Sequence, residues 1–453
     1  MSTRKIYERP VIKKLEGNMP NKFGMRSVHE PTQFIEGHAV KDLISEFGSP
    51  LFIISEKKLR KNYRNARQAF QTRYPKVQFA WSYKTNYLDA VCRIYHQEGS
   101  WAEVVSGFEY DKAIGNGVPG SKIIFNGPDK TEVDLRKAIT NNSLIHIDHL
   151  DELYLLQDIA RDSKLRPRVA IRVNMDTGVY PLWDRFGFNY ENGQAWDALN
   201  KIMFSGLMDL VGLHTHIGTF MLSPNAYAVA ASKLAHLAQS LLSKYNHEIK
   251  YIDIGGGFAS KNTLKGSYLP GTDISPSIHD FAEAITSALM NSDYRPKTPP
   301  VLIVESGRAL IDDAAWLLGT VLANKRLSDG RRATILDIGV NTLFTAFWYD
   351  HLITPAQPIT SYTEDTALYG PLCMNIDVVR ENINLPLLNR GDQVVVHHVG
   401  AYNMTQWLQF ITLRPNVILI DEEGGKHLIR RAETLETFTS QELIPAHLAH
   451  FDL

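Results

Sequence analysis

Lys84 lies near the end of the segment FAWSYKTN, and the run 77–83 just before it has the apolar pattern of a buried strand. A lysine that loses its proton in a desolvated pocket is a nucleophile and can attack an aldehyde to form a Schiff base. By itself a strand-end lysine is more often solvated, since lysines are mostly exposed. Other residues able to do chemistry follow similar runs. Ser106 ends WAEVVS and Glu109 follows it, Arg172 lies in RVAIRVN, and His214, His216 and Thr219 close the segment beginning LVGLHTHIG. Gly255, Gly256 and Gly257 end YIDIGGG, and Glu305, Gly307 and Arg308 end PVLIVESGR. A glycine triplet lets backbone N–H groups approach an anion closely, and a nearby arginine adds charge. The triplet alone also fits a tight strand-to-helix turn, and Glu305 alone fits a solvated carboxylate. Together they outline an anion site, an amine, an acid and a histidine.

These residues need a scaffold that gathers strand ends. Val- and Ile-rich runs begin at Val77, Trp101, Lys122, Leu144, Arg168, Leu210, Tyr251 and Pro300, eight in all. Helix-like stretches such as TEVDLRKAITN (131–141) separate them. Continuous apolar strands alternating with helices predict parallel strands buried on both faces. Eight units in roughly 250 residues predict a (β/α)8 TIM barrel, with a doubly wound open sheet as the alternative. Active sites in such barrels lie at the carboxyl ends of the strands, with phosphate commonly held after strands seven and eight. A phosphate-bearing aldehyde held by a lysine, with an acid at its ring nitrogen, is pyridoxal phosphate.

After Ala309 the rhythm breaks into short strand-like runs, with turns at Asp329, Arg390 and Asp421. That predicts a C-terminal, mostly antiparallel β domain. A short helix is expected over 39–46, a strand at LFIIS (51–55) and a helix over 59–74. The N-terminal arm and LFIIS are expected to complete the β domain. The expected division is 1–56 arm and strand, 57–310 barrel, and 311–453 β domain.

Composition narrows the partners. Hydrophobic residues make up 44% and charged residues 21% of 453, and 48 basic against 49 acidic residues leave a net charge of −1. That balance gives no electrostatic reason to expect nucleic acid or a membrane surface. The two cysteines, Cys92 and Cys373, form no disulfide framework, which fits a reducing compartment. The polar start lacks the apolar core of a signal peptide, so a cytoplasmic protein is expected. No metal site is expected.

YKTN, EVVSGFE, HTHIG, DIGGGF, ESGR, GPLC and GAY occur in that order between about residues 48 and 431. In them the chain resembles the barrel-type pyridoxal-phosphate decarboxylases, the diaminopimelate, ornithine and arginine decarboxylases related in fold to alanine racemase. The resemblance implies that Lys84 is the Schiff-base lysine and that His216 stacks on the cofactor ring; His214 also fits a core-facing strand histidine. It assigns Thr219, Gly256, Gly257 and Arg308 to the phosphate, Gly255 and Gly307 to cofactor binding beside it, and Glu305 to the ring nitrogen. Glu103 and Glu109 match acidic positions beside the cofactor, and Arg172 a cofactor-side arginine. Cys373 matches the proton donor and Tyr402 a tyrosine at the phosphate. Both are expected from the neighbouring subunit of a head-to-tail homodimer.

The substrate half departs from the family. Met374 and Asn375 follow Cys373 where an acidic residue is usual, and Thr345 stands where diaminopimelate decarboxylases carry an arginine, with Tyr349 nearby. The resemblance therefore implies an amino-acid α-decarboxylase with an altered substrate pocket, acting on a free or conjugated amino acid. An amino-acid racemase and a non-catalytic binding relative are the alternatives. Glu305 argues against the first, because a racemase often pairs the ring nitrogen with arginine. The retained Lys84, Glu305, Arg308 and Cys373 argue against the second.

Overall fold

The computed structural model describes residues 30–267 and 269–448; the first part of the expected arm, 1–29, lies outside them. All eight predicted runs form strands: Val77–Ser82, Trp101–Val104, Ile123–Phe125, Leu144–Ile147, Arg168–Asn174, Asp209–His214, Tyr251–Asp253 and Val301–Val304. Each pairs in parallel with its neighbours. The eighth returns to the first, and the fifth pairs with the sixth, so the sheet closes into a barrel and the open-sheet alternative falls. The short strand Phe188–Asn189 pairs with the end of the fifth strand. Among the described residues no helix is long and apolar enough to cross a membrane.

The pleat explains how this barrel carries a site. Side chains two residues apart on a strand share a face. Ala80, Ile124, Leu144, Ala170, Val211, Tyr251 and Ile303 pack together as an apolar cluster distinct from the main core. Two residues further along six of these strands stand Ser82, Asn126, His146, Arg172, Asp253 and Glu305. An apolar layer is thus followed, toward the carboxyl ends, by a polar one. The outer faces pack under helices such as Glu56–Gln71 and Pro224–Tyr245.

LFIIS is the strand Leu51–Ser55, fully buried, and Ser55 caps the helix that follows by accepting from Lys58 N at 3.2 Å. It lies between Ala315–Arg326, antiparallel, and Asn416–Ile420, parallel. It therefore belongs to the second sheet, as expected. That sheet is antiparallel-rich with a second parallel pair, Arg332–Leu336 with Thr363–Tyr369. Three of its strands, Ile353–Pro355, Thr363–Tyr369 and Val378–Pro386, have no counterpart among the predicted runs. The expected short helix forms as Val40–Phe47.

Candidate active site

Lys84 sits in a 3-10 turn, Tyr83–Thr85, directly after the first barrel strand. The β domain fixes its backbone. Thr405 Oγ1 donates to the Lys84 carbonyl at 2.8 Å, Tyr402 N to the Thr85 carbonyl at 2.8 Å, and Asn86 Nδ2 to the Gly400 carbonyl at 3.1 Å. The ammonium donates to both oxygens of Glu103, at 2.9 and 2.7 Å. Glu103 is fully buried, whereas the Lys84 side chain stays 34% exposed. Burial works against the charged amine, but the carboxylates of Glu103 and Glu305 outweigh it and raise the Lys84 pKa.

Asn126 joins the two acids, donating through Nδ2 to Glu103 Oε1 at 3.0 Å and to Glu305 Oε1 at 2.7 Å. Below them, His214 Nε2 lies 3.4 Å from Glu305 Oε2, and its ring stacks on His146 at 4.4 Å. Burial, and then neighbouring positive charge, holds His214 and His216 well below the usual histidine range. Both are therefore neutral imidazoles. His216 Nδ1 accepts from Gly256 N at 3.1 Å, which leaves the ring proton on Nε2.

The anion corner forms where strands seven and eight end. A Cβ at Gly256 would run into the Glu305 carbonyl, and one at Gly307 into Thr85 Oγ1. Gly257 has φ +88°, and a Cβ there would strike the Gly218 carbonyl. Only glycine lets these backbones meet. Arg308 is 6% exposed. It donates through Nη2 to Thr219 Oγ1 at 3.1 Å and through Nη1 to the Tyr349 hydroxyl. The Tyr402 ring lies 4.6 Å from its guanidinium carbon, with Phe220 and Tyr349 at 5.5 Å. Arg308 Nε and Thr85 Oγ1 are buried without a hydrogen-bond partner among the described residues. A glycine cradle, a buried arginine with unused donor capacity and an accessible amine fit pyridoxal phosphate.

Several expectations change. Tyr402 meets Arg308 of its own chain, so the expectation that the neighbouring subunit supplies it is corrected. Tyr402 has φ +64°, and its N–H donates to the Thr85 carbonyl beside Lys84. Thr345 was expected at the substrate, but it is 1% exposed. Its hydroxyl bonds to His351 Nε2 at 2.8 Å and donates to Asn403 Oδ1 at 3.0 Å, so no hydrogen-bonding capacity is turned outward. Tyr349, also expected there, stands instead at Arg308. Glu109 accepts from Val105 N at 2.9 Å, and its own N–H donates to the cap Ser106, so its carboxylate finishes a helix start. Arg172 is aimed at the His216 carbonyl (3.4 Å) and Asp148 (3.8 Å), with its guanidinium carbon 4.5 Å from the Phe186 ring. Cys373 and Asn375 are exposed and Met374 half-buried, in the loop after Thr363–Tyr369.

Asn126, His146 and Asp253 were not singled out from the sequence, although each lies within or just after an apolar run. The usable signal was the pleat, since each lies two residues after an inward apolar residue. His146, His214, Asp253 and Glu305, all buried, bring ligand-type atoms within 4.8 Å of one another.

A closed barrel with a strand-end lysine and a glycine-lined anion corner defines a barrel-type pyridoxal-phosphate enzyme. The chain belongs to the pyridoxal-dependent decarboxylases: the family model described as the pyridoxal-dependent decarboxylase, pyridoxal binding domain, matches residues 56–312, more than half of the 453. It is a pyridoxal-phosphate-dependent carboxy-lyase similar to diaminopimelate decarboxylases. The Methanothermobacter thermautotrophicus enzyme is 28% identical, over 91% of this chain and 96% of its own. That of Methanocaldococcus jannaschii is also 28% identical, over 92% and 96%. A crystal structure of diaminopimelate decarboxylase from M. jannaschii in complex with L-lysine superposes with a TM-score of 0.85 at 27% identity, covering 93% of this chain and 98% of that one.

Proposed function

We propose that the protein is an amino-acid α-decarboxylase whose substrate carries less distal charge than diaminopimelate, or a distal charge that reaches solvent. Pyridoxal phosphate, when bound, accepts the electron pair left as the α-carboxylate departs as carbon dioxide. The chain's residues hold and orient. Lys84 would carry the cofactor, with Glu103 holding and orienting its amine. Glu305, held by Asn126, would face the ring nitrogen and keep it protonated. His216, neutral and fixed through Nδ1, would lie flat against the ring. Gly255, Gly256, Gly257, Gly307, Thr219, Arg308 and Tyr402 would hold the phosphate. Cys373 of the neighbouring subunit would return a proton to the substrate carbon, which requires a head-to-tail dimer. In this reading residues 57–310 carry most of the cofactor site, and 311–453 add Tyr402 to it and serve the substrate and the partner.

The observation that carries the substrate reading is Thr345. Its hydroxyl is occupied by His351 and Asn403, and the position offers no cation to a distal carboxylate. Met374 and Asn375 offer no anion to a distal ammonium. Leaving either charge desolvated and unpaired costs several kcal/mol. Phe344 lies instead 5.4 Å from both Phe347 and Trp348, in a half-buried aromatic group. A second reading, diaminopimelate itself, is favoured by the full-length similarity to diaminopimelate decarboxylases. Carbon dioxide release from a panel of D-, L- and conjugated amino acids decides between them. Meso-diaminopimelate is expected to turn over at least about tenfold more slowly than the best substrate, as a penalty of 1.4 kcal/mol or more requires. Turnover of it well above all others would overturn the proposal.

A further inference from the structure

The seventh and eighth barrel strands place two buried carboxylates side by side. Asp253 pairs in register with Ile303, and the pleat brings Glu305, two residues on, to the same inner face. Gly255 N donates to Asp253 Oδ1 at 2.8 Å. Asp253 Oδ2 is buried and no donor reaches it among the described residues. The surrounding cations are committed elsewhere. Lys84 bonds to Glu103, and Arg172 lies against Asp148 and the His216 carbonyl. His214 and His146 are pushed well below the usual histidine range, mainly by burial, and are neutral. Tyr251 is bonded to His146 at 3.1 Å. Two like charges this close in a dry site cannot both be held without a cation.

We propose that Asp253 is kept as the un-ionised acid and donates its proton from Oδ2 to Glu305, acting as a positioning residue that holds Glu305 as the carboxylate. The two acids thus divide the labour, one neutral donor and one anion. Asn126 donates to Glu305 Oε1 at 2.7 Å, whereas Asp253 Oδ2 has no donor of its own among the described residues and is the oxygen left to carry the shared proton. Burial, and then the charge of Glu305, push the Asp253 carboxyl well above its ordinary range, in the same direction. The inference rests on the reading that Glu305 serves the cofactor ring, but the proton on Asp253 does not, and the test separates them.

The direct readout is infrared difference spectroscopy of the holoenzyme, wild type minus Asp253→Asn, at neutral pH in water and deuterium oxide. A deuterium-sensitive carbonyl band of an un-ionised carboxylic acid should appear in the wild type and vanish in the variant. Glu305→Gln removes the neighbouring charge, so the band should titrate away at lower pH than in wild type. No such band in the wild type overturns the protonated acid whatever Glu305 does. The second readout is cofactor affinity and the cofactor absorption spectrum. Asp253→Asn keeps a donor and should stay within about threefold of wild type. Asp253→Ala should bind about ten- to a hundredfold more weakly, the range for one hydrogen bond to a charged group. Equal damage in both variants, with the infrared band present, overturns the positioning role alone. If the alanine variant does not fold, the asparagine variant decides, because a shifted cofactor spectrum there contradicts rescue by a neutral donor. Stoichiometric metal in the purified holoenzyme, bound through the His146, His214, Asp253 and Glu305 cluster, would overturn the proton outright.

Discussion

At the barrel mouth, Lys84, Glu103, Asn126 and Glu305 bond one to the next at 2.7–3.0 Å, all within one chain. In the β domain, the residues expected to meet substrate are arranged otherwise. Thr345 is sealed among Asn403 and His351, while Cys373 and Asn375 face outward in a loop. Tyr402 and Tyr349 do reach the site, and they reach it in cis, beside Arg308. The contrast teaches that the polar groups around Lys84 are gathered within one chain, whereas Cys373 and Asn375 lie exposed, away from them; in the proposed reading a head-to-tail partner would complete the substrate half.

The contrast breaks most sharply at Lys84. Lys84→Ala is expected to lose covalent cofactor attachment and turnover altogether. Borohydride reduction followed by intact mass checks it, and a cofactor adduct surviving in the variant would remove Lys84 from its role. Arg308→Ala should weaken cofactor binding by about ten- to a hundredfold, the loss of a charge-assisted contact in a buried corner. Thr345→Val should leave cofactor affinity within about twofold, because its hydroxyl serves the β-domain core. It should instead cost about 1–3 kcal/mol of stability in urea melts, as the buried Asn403 and His351 groups lose a partner. If Thr345→Val alters cofactor binding more than Arg308→Ala does, the two halves are not separate.

The smallest effect concerns Glu109. Burial is the main cause that pushes its pKa up, to about 7, with the Glu103 charge adding to it. A carboxyl whose folded pKa is raised contributes stability below its unfolded value, and that contribution is lost as pH rises through the folded value. The cofactor-free protein should therefore lose about 1–3 kcal/mol between pH 4.5 and 7 from this group. Glu109→Gln, which still accepts from Val105 N, should flatten that slope with little change in cofactor affinity. Urea midpoints against pH report it; an unchanged slope would show that Glu109 is ionised throughout.

The barrel was legible because its strands are buried on both faces and read as unbroken apolar runs. Thr363–Tyr369 and Val378–Pro386 were not legible, since TEDTALY and VVRENINLP interleave charged and polar residues along half-buried strands. Lys84, His216, Glu305 and Arg308 stood out as candidates because each lies at or just past the end of a recognisable apolar run. Motif order gave the position of Tyr402 but not the subunit it serves, which depends on how the GAY turn folds onto the Lys84 backbone. Thr345 shows the same limit: sequence position says what residue is there, while burial decides what its hydroxyl can touch.

Mixed dimers test the central claim most directly. Lys84→Ala and Cys373→Ala subunits, each inactive alone, should regain about half the wild-type activity in verified heterodimers, since one of two shared sites is then intact. Lys84→Ala combined with Arg308→Ala should regain nothing beyond what Arg308→Ala subunits show alone at the same cofactor concentration, because both residues belong to the same chain's cofactor half. Recovery in the first pair and no gain in the second is the predicted result. No recovery with Cys373→Ala, or recovery with Arg308→Ala, would contradict a cofactor half built in one chain and completed by its partner.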